Sequence, residues 1–236
     1  MTFPAPLISG NLIKRYKRFL ADVRLESGEV VTAHCPNSGS LLHNKEPGLK
    51  VWLSRSNNPK RKLAYTWELA QTQAGHFVMI HAAGANALAL EAIQNGTAKA
   101  LQGYTNIRAE VKYGHQNSRI DLLLEKPGEQ CYVEVKSVTL LENGTLMFPD
   151  AVTTRGQKHL QELIAMKNEG HRAVIFFAAL HTGSRRFAPA AHIDPAYVQL
   201  LKEAARSGVE IVAYGAEISP ETIELKYPLE VSIDRP

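Results

Sequence analysis

The first third of the chain alternates between apolar and polar positions. Phe19, Ala21, Val23 and Leu25 interleave with Arg18, Asp22, Arg24 and Glu26, the period-two pattern of a half-buried strand. Ser27-Gly28 then turns the chain into a second β run over residues 29–34. Further strands fit residues 7–13, 49–53, 64–71 and 76–81, with Gly75 separating the last two. Five or six short strands within about 80 residues suit a small Greek-key barrel of the oligonucleotide/oligosaccharide-binding (OB) kind, and an SH3-like barrel fits nearly as well. Pro36-Asn37-Ser38-Gly39-Ser40 is rich in turn formers and is either a plain turn or a loop that offers Asn37 or Ser38 to a ligand.

From about residue 83 the rhythm changes. Residues 86–93 form a short helix with Asn86 as N-cap and Asn95-Gly96 after it. Strands follow over 107–113, 120–125 and 131–139. A helix runs from Thr153 or Thr154 to Glu169, with Leu160, Leu163 and Ile164 on its buried stripe and Gly170 closing it. The apolar run 173–180 reads as a strand covered on both faces. Asp194-Pro195 opens another helix, which extends to Arg206 and precedes a last strand over 209–214. The order αβββαβ, extended by α-β, is a mixed α/β layer. Ala82-Ala83-Gly84-Ala85 marks the boundary between domains 1–82 and 83–236.

The chemistry concentrates in Ser118-Arg119-Ile120-Asp121 and Val133-Glu134-Val135-Lys136. Lys126-Pro127-Gly128-Glu129 between them reads as a tight turn, so these runs are neighbouring antiparallel strands. Glu134 and Lys136 share a face. If those four residues are the loop, Asp121 stands opposite Glu134; a loop one residue longer sends it to the other face. The first register brings two carboxylates and an ammonium together among apolar neighbours, where a charge must be paired or coordinated. Such a set binds Mg²⁺, or Mn²⁺, through Asp121 and Glu134, with the Val135 carbonyl as a third donor, while Lys136 orients or deprotonates an attacking water. A structural ion-pair network on the sheet is the alternative.

Charge is uneven. Residues 1–82 carry eleven Lys and Arg against five Asp and Glu, net +6, whereas residues 83–236 carry sixteen against eighteen, net −2. The basic residues gather at Lys14, Arg15, Lys17 and Arg18, interleaved with Tyr16 and Phe19, and at Lys60, Arg61 and Lys62. Cations release counterions from phosphates and aromatic faces stack on bases, so a nucleic acid is the expected partner. A lysine-rich edge strand is the plainer reading of each cluster alone. Arg155, Lys158 and His159 lie in the first turns of the second helix, placed to hold a phosphate. Cys35 and Cys131 lack metal-ligand spacing and read as reduced thiols, which points to the cytoplasm. No run of about 18 apolar residues exists, which argues against a membrane partner. Nucleotide-binding glycine loops, zinc-protease motifs and serine-hydrolase elbows are absent.

Taken together, the chain resembles the PD-(D/E)xK nuclease superfamily and, within it, the sugar fermentation stimulation protein A (SfsA) family. The resemblance rests on residues 33–39, 118–121, 132–140, 148–160, Asp194-Pro195-Ala196-Tyr197 and Gly208-Val209-Glu210. It implies an N-terminal OB-like barrel, a C-terminal nuclease-like αβββαβ domain, non-sequence-specific DNA binding and a regulatory link to maltose and other sugars. Superfamily members often carry a further acid on the helix before the first strand of the core; Glu91 holds that place, where an ordinary exposed glutamate would also fit. Two functions follow as expectations: a Mg²⁺-dependent DNA nuclease using Asp121, Glu134, Lys136 and Glu91, or a DNA-binding regulator on a nuclease scaffold. An oligosaccharide-binding barrel is a third.

Overall fold

The computed structural model describes residues 1–114 and 118–233. Strands β1 (Ile8–Tyr16), β2 (Leu20–Leu25), β3 (Val30–His34), β4 (Lys50–Arg55) and β5 (Tyr65–Gln71) close into a barrel. Each neighbouring pair is antiparallel except β3 and β5, which close the ring in parallel through Ala33–Tyr65 and His34–Thr66. The inward residues are the apolar ones of the alternation, with Val23, Leu53 and Trp67 fully buried. Removing each such side chain from water stabilises the barrel by roughly 1.5–3 kcal/mol. A short β6 (Phe77–Met79) continues the sheet beyond β5.

The second layer begins with α1 (Gly84–Gln94), followed by β7 (Asn106–Tyr113), β8 (Ser118–Lys126), β9 (Glu129–Val138), β10 (Leu140–Glu142) and β11 (Thr145–Phe148). Then come α2 (Thr154–Asn168), β12 (Arg172–Ala179), β13 (Arg186–Pro189), α3 (Pro195–Arg206), β14 (Glu210–Ile218), β15 (Ile223–Pro228) and β16 (Glu230–Val231). The main sheet has the order β15-β14-β12-β9-β8-β7, with β9, β12 and β14 parallel. Helix α1 covers one face, and α2 and α3 cover the other, which explains why β12 is apolar from Ala173 onward. The fold is thus an OB barrel joined to an αβββαβ layer, as the pattern predicts.

Two local expectations need correction. Helix α1 starts at Gly84 without a side-chain cap, and Asn86 turns its amide elsewhere. The apolar run through residue 139 ends one strand early: β9 stops at Val138 and β10 starts at Leu140 in a separate four-stranded sheet, β10-β11-β13-β16. That small sheet and β15 are further elements that the alternation does not announce.

The two halves are joined by main-chain hydrogen bonds, Met79 N–H to Leu180 O at 2.9 Å and Thr182 N–H to Phe77 O at 3.0 Å. Trp52, Leu69 and Met79 of the barrel share one apolar cluster with α1 and the main sheet. At the junction's other side, Asp150 accepts the Leu41 N–H at 2.9 Å and its carbonyl accepts the Ser40 hydroxyl at 2.5 Å. Asp150 is therefore committed to the junction.

Candidate active site

The β8–β9 hairpin sets the site. Its turn is Pro127-Gly128, with Gly128 at φ 77°, and Lys126 pairs with Glu129. The register continues as Leu122 opposite Val133, so the next step brings Asp121 level with Glu134. Beyond that point Asp121 uses its side chain in place of the ladder: Oδ2 accepts the Val135 N–H at 2.7 Å. Oδ1 accepts the Asn86 amide of α1 at 2.7 Å.

Glu134 is 1 % exposed and lies at the floor of a cleft of about 560 Å³ between barrel and sheet. Its Oε1 accepts from Lys136 Nζ at 2.7 Å and is hydrogen-bonded to His159 Nδ1. Arg155 Nε donates to His159 Nε2 at 3.3 Å, which leaves Nδ1 as the proton-bearing nitrogen facing Glu134. Glu134 Oε2 is buried with no hydrogen-bond partner. Burial pushes the Glu134 carboxyl up, but the hydrogen bonds from His159 and Lys136 and the Lys136 charge outweigh it and hold the group below its usual range. Burial, and next the Glu134 charge, push Asp121 up to about 6.

This donor set fits a hard divalent cation. A buried carboxylate oxygen lacking a partner is costly unless something fills its lone pairs, and Asp121 stands beside it in the same cleft. Among the described residues no three His, Cys, Asp or Glu side chains form a cation-holding group. Two carboxylates suit a hard divalent cation that keeps part of its water shell.

The other predicted residues divide. Arg155 and His159 line the cleft with Asp121, Glu134 and Lys136, but His159 is buried and holds Glu134 in place. Lys158 is half-buried on α2 and is not among the residues lining the cleft. Glu91 is not brought to the site: its Oε2 accepts from the Met1 ammonium at 2.8 Å. Arg15 is structural, donating to the carbonyls of Asn37, Gly39 and Ser40. Lys14 pairs with Asp22 at 3.7 Å. Lys17 and Arg18 form the β1–β2 turn, and Arg18 lines a hollow adjoining the cleft. Lys60 and Lys62 are exposed, while Arg61 donates to Thr66 at 2.9 Å, opposite His34 at the cleft rim.

Three cleft residues escape sequence reasoning. Asn86 reads as a cap. Glu110, at φ 55°, occupies the β7 position level with Asp121 and lines the cleft; its signal would have been the β7–β8 register, which the sequence does not carry. His34 looks like the end of a strand.

Comparison with known proteins agrees with this architecture. The family profile described as the SfsA N-terminal OB domain matches residues 13–80, and that of the sugar fermentation stimulation protein RE domain matches residues 83–222. A sugar fermentation stimulation protein homolog of Shewanella piezotolerans is 58 % identical over 221 residues, 93 % of this chain and 94 % of that one. The homolog of Aeromonas salmonicida is 54 % identical over 228 residues, covering 94 % and 92 %. The structure of Pyrococcus furiosus SfsA in complex with Ca²⁺ superposes with a TM-score of 0.87 at 31 % identity, covering 98 % of each chain. Barrel, C-terminal sheet-and-helix domain and near full-length similarity lead to one conclusion: this chain belongs to the sugar fermentation stimulation protein (SfsA) family.

Proposed function

We propose that the protein is a metal-dependent phosphodiesterase acting on DNA, with residues 1–82 as the DNA-holding domain and residues 83–236 as the catalytic one. The observation that carries this reading is the buried Glu134 carboxylate, whose Oε2 has no partner, beside Asp121 in a cleft between a basic barrel and the sheet. The Ca²⁺ bound by the Pyrococcus relative supports a divalent ion here. Asp121 and Glu134 would hold Mg²⁺ or Mn²⁺, which when bound supplies charge neutralisation at the phosphate and a more acidic water.

The remaining work falls to the chain itself. Lys136 Nζ, tied to Glu134 at 2.7 Å and within 3.3 Å of His159 Nδ1, orients the attacking water and offsets charge on the phosphate. His159 keeps Glu134 aimed into the cleft through its Nδ1 proton. Arg155 reaches the cleft from the first turn of α2, where the helix N-terminus adds to its attraction for a phosphate. Arg18 and Arg61 extend the cationic path along the barrel.

The test is cleavage of labelled single- and double-stranded DNA with Mg²⁺ or Mn²⁺. Asp121→Ala and Lys136→Ala should each lower the rate at least roughly 100-fold while DNA binding persists, the scale on which positioned acid–base and electrostatic groups act. The family's name favours a second reading, a DNA-binding regulator of sugar metabolism. Salt-dependent binding with no cutting by the wild type under either metal would select it.

A further inference from the structure

The strongest feature left over is an aromatic side chain standing in water at the rim of the cleft. Among the described residues, the large hydrophobics left exposed are Phe19 at 44 %, Val30 at 51 % and Val152 at 68 %. Two of these border the site. Phe19 lines the cleft that holds Asp121, Glu134 and Lys136, and Val152 lines the adjoining hollow with Arg18. The two hollows share Asn37, Ser38 and Arg155, so they form one groove. An isolated exposed apolar side chain is ordinary. Two on the walls of one groove, each beside an arginine, need a ligand that is flat and apolar in one part and anionic in another.

The local backbone points the same way. Phe19 follows Lys17 and Arg18, whose φ angles are 46° and 63°. Asn or Gly adopts that conformation at lower cost in a tight hairpin. Here two long cations occupy it, and the turn thrusts Phe19 outward, its N–H bonded back to the Lys17 carbonyl at 2.7 Å. Behind Phe19 lies the His34 ring, centroid to centroid 6.5 Å and inclined by 32°. Burial, followed by the charges of Arg61 and His81, lowers the His34 pKa, which favours the uncharged ring.

We propose that Phe19, backed by His34, is a stacking platform for an unpaired base, with Arg18 and Arg155 receiving the adjoining phosphates, so that the substrate class is single-stranded DNA or the frayed end of a duplex. The inference rests on the phosphodiesterase reading for its direction, since the stacked base would lie next to the scissile phosphate. A base inside a duplex has no free face to offer Phe19. The cleft, at about 560 Å³, has the size of a small-ligand pocket and suits a short stretch of single strand. Stacking is indifferent to base identity, which accords with binding without sequence preference.

The experiment uses the full chain in EDTA, so that binding is read without cleavage. The probe is an oligodeoxythymidylate carrying one 2-aminopurine, alone or annealed to its complement. The single strand should bind more tightly and its 2-aminopurine emission should be quenched. Phe19→Ala should remove the quenching and lower single-strand affinity roughly 10- to 100-fold, the effect of losing one stacked base. The ratio of single-strand to duplex affinity should fall with it. Phe19→Trp should restore both readouts, whereas Phe19→Leu, apolar but without a ring, should not. Arg18→Ala should instead flatten the salt dependence of binding. Unchanged emission on binding overturns the inference, as does Phe19→Ala weakening single strand and duplex equally or not at all. If quenching depends on Phe19 but no substrate is cut with Mg²⁺ or Mn²⁺, the platform stands and the hydrolase reading falls. If cutting depends on Asp121 but single-strand binding ignores Phe19, the reverse holds.

Discussion

His181 is buried next to His76, and its Nδ1 accepts the Gly183 N–H at 3.0 Å, a bond only the ring unprotonated at that nitrogen can make. Burial, and then the His76 charge, lower its pKa from the usual 6.5 to about 4. The unfolded chain therefore binds a proton between those values while the folded chain does not. The associated stability is complete above pH 6.5 and drains as pH falls towards 4, on the order of 3 kcal/mol at most. Urea unfolding at stepped pH should show this slope, and His181→Gln should flatten it. Legibility at this scale depended on backbone spacing. Asp121 and Glu134 could be read as a pair for one of two possible registers of the Pro-Gly turn, and the structure adopts that one. Glu91 could not be excluded because nothing in the sequence states which way α1 faces. Asn86 meets Asp121, and a residue five positions on lies about 140° around a helix. Glu91 therefore cannot share that view.

Helices α2 and α3 are tied by one carboxylate. Asp194 is 1 % exposed; it accepts the Tyr197 N–H that caps α3, the Thr153 N–H at the start of α2, and the Gln157 amide. The Asp-Pro signature announced the cap on α3, but the reach to α2 spans about 40 residues and is a tertiary fact that no local pattern encodes. Asp194→Ala should cost about 2–4 kcal/mol, since it removes a cap and strands a buried donor. Asp194→Asn should cost less, and thermal melts of the two variants would rank them. The strands that escaped notice have physical causes as well. β9 leaves the main sheet and the chain resumes as β10 after the single residue Thr139, with no glycine or proline between them to mark the corner. β13 ends in proline, which disfavours strand assignment, yet it pairs in parallel with β11 and β16.

The molecule has two architectures but a shared interior. In the sequence, Ala82-Ala83-Gly84-Ala85 and the change of rhythm suggest a division there, and the shift from net +6 to net −2 across it agrees. The junction itself was not visible: Trp52, Leu69 and Met79 look like ordinary barrel residues until they meet α1 and the main sheet. Residues 83–233 expressed alone should fail to give a cooperative melt, whereas the full chain should unfold in one transition by both near- and far-ultraviolet dichroism. Two separate transitions would show the interior to be less shared than its packing. The same junction matters in time as well as in space. Met79 waits for Leu180, the acceptor of its N–H, which a ribosome adds about 100 residues later, some 5–20 s at ordinary synthesis rates. For that interval the finished barrel carries an uncovered apolar flank and an unpaired β6 edge. The nascent chain is most exposed to aggregation, and most in need of a chaperone, while its second half is still being made.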